Sequence, residues 1–218
     1  MLGALWLPLA ACGGFDFRQL GKSDVDQVAE VHARQTLHEL GVLLDKLYKR
    51  NPAEWKKTGA ASAQARVQQF TEAGSHVRFT EMDGRQGTEA IRLALDPAWR
   101  GDRAFGFCAG IRGMLLASWG GKTEFYLTDS LDPQTLYNSA RNLELASWLL
   151  RQRKDARGRP LLLSHGQEGE EENVSFDRQF GKLIALQDAL ARVMEGRTQR
   201  AIKTVVQSMA TAAFLPVP

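Results

Sequence analysis

The sequence predicts an all-α protein, an irregular bundle of six or seven helices. Three observations predict it. Apolar residues recur at spacings of three and four along most of the chain, and hardly any stretch alternates with the period of two that marks a half-buried strand. The pairs Asn51-Pro52 and Asp132-Pro133 stand where a capping side chain followed by a first-turn proline opens a helix. The segment 104–119, AFGFCAGIRGMLLASW, is apolar nearly throughout, as a buried central helix requires. No repeat of fixed period occurs, which argues against a regular solenoid.

Taken in order, Ser23 or Asp24 caps a long first helix whose inner face carries Ala29, Ala33, Leu37, Leu40, Leu44 and Leu47. Asn51 is expected to cap a short helix from Pro52 to about Lys57, with Glu54 complementing its dipole. A further helix runs from Ser62 to Glu72. Residues 74–87 hold three glycines and little periodicity, so they read as a loop with a short extended piece at 77–79. Thr88 is expected to cap a short helix ending near Asp96-Pro97.

The apolar segment 104–119 is too short to span a bilayer, and Arg112 lies near its middle. A central arginine costs about 2.5–3.5 kcal/mol on insertion scales, which so short a run does not offset. Gly106, Gly110 and Gly113 instead admit a neighbouring helix at close range. After it, Asp132-Pro133 opens a helix with Leu136, Ala140, Leu143, Ser147 and Leu150 on its inner face. Residues 155–174 form a long connection. Ser175 then caps a helix on which Phe176, Phe180, Leu183, Gln187, Leu190 and Met194 fall on one side. A last helix is expected over 198–213, with Ile202, Val205, Val206, Met209 and Ala213 aligned. Residues 24–218 thus read as one helical domain.

The stretch WGGKTEF, 119–125, contains Gly-Lys-Thr, the ending of a phosphate-binding loop. That loop needs a glycine four residues before Gly-Lys-Thr, and here the position is Leu116. It must also follow a strand and open a helix. A helix C-terminus with a left-handed glycine explains the residues better, with Lys122 near the negative end of the dipole. No nucleotide is therefore expected.

The first eleven residues, MLGALWLPLAA, carry no charge and end in Leu9-Ala10-Ala11-Cys12. This tetrad resembles the lipobox of bacterial lipoproteins: an aliphatic residue, two small ones and the cysteine that takes a diacylglyceryl group. No Lys or Arg precedes the apolar run, a departure from the usual secretory pattern. The resemblance implies a signal peptide over 1–11, a lipidated Cys12 that anchors the protein in a membrane, and a tether over 12–23. Gly13 follows the cysteine where an aspartate would favour inner-membrane retention, so the resemblance points to the periplasmic face of the outer membrane. Cys108 is then left without a disulfide partner and reads as a small buried hydrophobe.

Nothing marks a cofactor or metal site. His32 and His38 are six apart and fall on different helix faces. Net charge is only +3 and the signs are interspersed, so no nucleic-acid stripe stands out. No Gly-x-Ser-x-Gly occurs, although a dispersed triad remains compatible with the sequence. The least ordinary polar set is Tyr137, Asn138, Arg141, Asn142 and Glu144. Two asparagines so close in a helix signal hydrogen bonding beyond the helix itself. Either they build an internal network, in which Glu144 neutralises Arg112, or they form a ligand or partner face. The basic cluster 151–159 and the acidic run 168–172 read by default as solvated loop charges. The expectation is a lipid-anchored scaffold, adaptor or assembly factor that binds an envelope protein partner. An envelope enzyme acting on cell wall or lipid, or a small-ligand carrier, are the alternatives.

Overall fold

The structure, a computed structural model, describes residues 21–166, 173–205, 207 and 209–218. The expected signal peptide, Cys12 and most of the tether lie outside the described residues, as do the acidic run 168–172 and Val206. The protein is all-helical. Its helices are α1 (Asp24–Arg50), α2 (Pro52–Lys56), α3 (Ala63–Glu72), α4 (Gly87–Ala94), α5 (Arg103–Ser118), α6 (Pro133–Gln152) and α7 (Ser175–Thr198). Two 3-10 turns, Thr80–Met82 and Met209–Thr211, interrupt the loops, and no sheet occurs among the described residues.

Capping chemistry sets most of the helix starts. The Ser23 hydroxyl accepts the Asp26 N–H while the Asp26 carboxylate accepts the Ser23 N–H, a reciprocal box that opens α1. Ser62, Asp102 and Asp132 each accept a backbone N–H at the first turn of α3, α5 and α6. Three expected caps fall elsewhere. Asn51 makes no side-chain bond to α2, because its amide turns to the loop after α6. Thr88 lies inside α4, whose flanking residue Gln86 caps nothing. Ser175 is the first residue of α7, and its N–H is taken by Asn173.

The central helix is α5, in which every residue but Gly113 and Ala117 is buried. The glycines work as expected. A Cβ on Gly110 would stand 2.6 Å from the Ile91 nitrogen and 2.9 Å from the Gly87 oxygen, and one on Gly113 would stand 2.9 Å from the Gly87 nitrogen. Only bare backbone lets α4 lie so close. Arg103 braces the same pair, donating from Nη1 to Ala94 O (2.8 Å) and Asp96 O (2.6 Å) and from Nη2 to the carbonyls of Pro97 and Trp99. Those acceptors are the orphan carbonyls at the end of α4 and the loop beyond it.

The stretch 119–123 is a helix C-terminus. Gly120 (φ 66°) and Gly121 (φ 75°) are both left-handed, Gly121 N–H bonds Leu116 O at 2.8 Å and Gly120 N–H bonds Ala117 O at 3.0 Å. That is a Schellman ending. Lys122 pairs with Asp129 and no helix opens here.

The α7 face steps as expected, and all six of its inner residues are buried. Gln187, fully buried, joins three helices: its Oε1 accepts from Trp119 Nε1 (3.1 Å) and its Nε2 donates to the hydroxyls of Ser118 (3.2 Å) and Ser139 (2.8 Å). Each hydroxyl donates onward to a carbonyl of its own helix, so every polar atom of the cluster is satisfied.

The helix expected over 198–213 does not form. Gln199, at φ 54°, ends α7 in the left-handed region, and beyond it the described residues run without regular structure to the 3-10 turn at Met209–Thr211. Within the expected span, Gln134 of α6 takes both peptide groups of Lys203 in place of helical partners, and just beyond it Asn142 does the same to Leu215. No helix among the described residues is long and apolar enough to cross a membrane.

Candidate functional site: a cationic cleft around Arg112

The residues singled out by sequence separate into two places. Tyr137, Asn138, Arg141, Asn142 and Glu144 lie on α6, while Arg112 lies on α5 beneath the loop that follows α3.

The α6 face is occupied by the chain itself. Asn142, fully buried, accepts the Leu215 N–H at 2.7 Å and donates to the Leu215 carbonyl at 2.9 Å. Asn138 donates to Pro216 O at 3.0 Å, and one helical turn earlier Gln134 clasps Lys203 through both its N–H (2.7 Å) and its carbonyl (3.1 Å). Arg141 pairs with Glu144 at 2.8 Å and Asp188 at 2.6 Å and lies 5.1 Å from the centre of the Tyr137 ring. Burial raises the Glu144 carboxyl above its ordinary value, with Arg141 opposing and Asp188 assisting. Glu144 is thus the partner of Arg141. The expected Arg112–Glu144 pair does not form, because α6 delivers its own cation to Glu144.

Arg112 is 4% exposed, and among the described residues it has no carboxylate within ion-pair distance. Its Nη2 donates to the carbonyls of Ala73 and Gly74 (2.9 Å to the latter), which tie the loop to α5. Its Nε and Nη1 donate to nothing in the described protein, and neither is among the sealed, unpartnered atoms of the interior. Burial alone lowers its pKa, with no acidic neighbour to oppose the shift. The guanidinium is therefore mostly buried and unneutralised by any carboxylate of the described residues, while Nε and Nη1 stay unsealed.

Two clefts meet at Arg112. The first, of about 350 Å³, lies between α5 and the loop 75–86 and is walled by Arg78, Arg85, His76 and Ser75 as well as Arg112, with no acidic residue in its lining. Gln86 and Gly113 line it too, which places the side-chain-uncapped start of α4 on the same cleft. The second, of about 490 Å³, includes Arg34 and His38 but also Glu30 and Glu124. Only the first is uniformly positive. Arg112 stands out in the sequence as a charge within an apolar run, whereas Arg78 and Arg85 lie in a loop of mixed charge that gives no sign of their convergence on it.

A second cluster, without a motif in the sequence, forms after α6. Ser164 Oγ stands 2.8 Å from His165 Nδ1, and His165 Nε2 stands 3.2 Å from Asp177 Oδ1. Ser164 is 3% exposed, Arg151 shares the same Asp177 oxygen at 2.8 Å, and the ring of Phe176 lies beside the imidazole. Serine and histidine are chain neighbours here, and only the aspartate comes from another element. Among the described residues no group of three or more His, Cys, Asp or Glu side chains is placed to hold a metal ion. Cys108 is buried and its thiol is pushed well above its ordinary pKa by desolvation, so it is no nucleophile.

Fold and site together define an all-helical protein with a cleft lined by cations. The chain matches no protein-family model, no curated protein and no solved structure.

Proposed function

We propose that this is a lipid-anchored helical protein of a bacterial cell envelope, held at the periplasmic face of the outer membrane through Cys12. It acts by binding an envelope partner, as a scaffold, adaptor or assembly factor. The observation that carries this reading is the tetrad Leu9-Ala10-Ala11-Cys12 at the end of an uncharged apolar run, with a water-facing helical body beginning at the Ser23 cap. Acyl chains on the cysteine supply more hydrophobic anchorage than the two signals stable attachment needs. The test is fractionation of the full-length protein with mass spectrometry of its N-terminus. An acylated Cys12 and a membrane fraction lost in the Cys12→Ser variant support the reading. A soluble parent protein retaining Met1 defeats it.

A second reading, an envelope hydrolase, is favoured by the serial contacts of Ser164, His165 and Asp177. Its nucleophile would be a serine that is almost wholly buried, which sets it behind the first. Labelling with a fluorophosphonate probe that is abolished by Ser164→Ala would promote it; no labelling of the parent removes it.

A further inference from the structure

We propose that the acid-free cleft between α5 and the loop 75–86 binds a phosphate-bearing anionic group, with Arg112 at its floor and Arg78 and Arg85 at its rim. This inference is independent of whether Cys12 is lipidated. It stands on two separate observations. The first is Arg112 itself, buried, held by two carbonyls, and left with two N–H-bearing atoms and a full charge that no carboxylate of the described protein offsets. Burial of a charge is costly unless a partner offsets it, and two other arginines have carboxylates in that role. Arg66, equally buried, has Glu81 at 3.0 Å and Asp102 at 3.6 Å, and Arg141 has Glu144 and Asp188. Arg103, the other buried arginine without an ion-pair partner among the described residues, spends its guanidinium on four carbonyls, whereas Arg112 keeps Nε and Nη1 unbonded at a cleft whose lining holds no acid.

The second observation is convergence. Arg78 and Arg85 come from different points of the loop and both line the cleft, as do the hydroxyl-bearing Ser75 and the imidazole of His76. The start of α4, whose flanking Gln86 offers no side-chain cap, adds the positive end of its dipole. Guanidinium groups donate paired, planar hydrogen bonds that match phosphate oxygens, and Arg112 has Nε and Nη1 free to make such a pair. The Phe79 ring, 5.9 Å from the Arg112 guanidinium, bounds the apolar side of the cleft and suits a substituent carried on the phosphate.

The experiment uses the full chain carrying Cys12→Ser, so that no acyl group contributes to membrane binding. Calorimetric titration with inorganic pyrophosphate and with glycerol 3-phosphate tests the free anion. Co-sedimentation with vesicles of phosphatidylglycerol, against phosphatidylcholine, tests a lipid headgroup. The expected result is saturable binding in at least one arm, weakened about tenfold, the equivalent of about 1.4 kcal/mol, for each arginine removed in Arg78→Gln and Arg85→Gln. Those two side chains are exposed, so their variants keep the fold where Arg112→Gln endangers it. Binding in the titrations alone assigns a soluble phosphate compound, and binding to anionic vesicles alone assigns a lipid. No binding in either arm, or binding unchanged in the double variant, overturns the proposal.

Discussion

The carboxamide of Asn142 holds Leu215 by both peptide groups, with Oδ1 on its N–H at 2.7 Å and Nδ2 on its carbonyl at 2.9 Å. Two other side chains do the same to distant loop residues: Gln134 to Lys203, and Asn51 to Leu163 (2.7 and 2.9 Å). A primary amide carries the same donor and acceptor as a peptide bond, so it serves loop backbone as a neighbouring strand would. This is how the described helices, with no sheet among them, satisfy the extended segments laid over them.

Replacing Asn142 by Ala removes both bonds to the half-buried peptide groups of Leu215, at a cost of about 0.5–1.5 kcal/mol for each hydrogen bond lost. The thermal midpoint should fall by roughly 2–4 °C per kcal/mol for a chain of this size. Limited proteolysis followed by mass spectrometry should release peptides C-terminal to residue 199 in the variant and not in the parent. Equal protection of both would show that packing of Phe214 against Arg92, 5.2 Å away, is enough to hold the tail.

Gly110→Ala drives a methyl into the backbone of α4, where a Cβ would stand 2.6 Å from the Ile91 nitrogen. The cost is expected at about 1–3 kcal/mol, as for other overpacked cores. Gly181, exposed in the middle of α7 with open space around its Cβ position, is the control, and its alanine variant should gain about 0.5–1 kcal/mol. Urea unfolding of the two variants reads both signs. A neutral Gly110→Ala would mean that α4 and α5 part freely.

Gln187→Leu removes the hub of the Trp119, Ser118 and Ser139 cluster. Both hydroxyls keep their helical carbonyls, whereas the Trp119 N–H is stranded, so a loss of about 1–3 kcal/mol is expected in chemical denaturation. Gain of stability in this variant would show that apolar filling outweighs the network.

Burial acting alone would raise the Asp26 carboxyl, but hydrogen bonds from the Ser23 N–H and hydroxyl and from Arg197 outweigh it and hold the pKa below the ordinary value. A carboxylate depressed in the folded state contributes stability above its unfolded pKa, near ~3.9, and loses it as pH falls through the folded value. Thermal midpoints measured from pH 6 down to pH 2.5 should therefore drop more steeply for the parent than for Asp26→Asn. Parallel curves would remove Asp26 from the acid response.

Where the information was local, the sequence was legible. The α7 face was readable because 3.6-residue periodicity is written into consecutive turns, and Gln187 was caught by register alone despite its polarity. The glycines of α5 were readable because only close approach accounts for three of them in so apolar a helix. The errors lie where a distant partner decides. Val205 and Met209 carry helical spacing, yet α6 side chains take the tail's peptide groups. Asn51 and Asn142 were recognisable as hydrogen bonders, but nothing nearby in sequence names residues 163 and 215 as their partners. For the same reason Arg112 was noticed while its companions in the cleft were not, and Glu144 was assigned to it although Arg141 stands three residues away on the same helix.

The bare-backbone contact between α4 and α5 also bears on the order in which the protein assembles. Its two halves are joined by residues 95–102 alone, and Arg103 binds that connection shut from within. Closing so short a loop takes well under a microsecond, whereas α1 and α7, which pack together from opposite ends of the described chain, must meet across more than a hundred residues. So short a closure favours early formation of the hairpin, and changes at Gly110 should then slow refolding where changes at the α1–α7 contact mainly hasten unfolding.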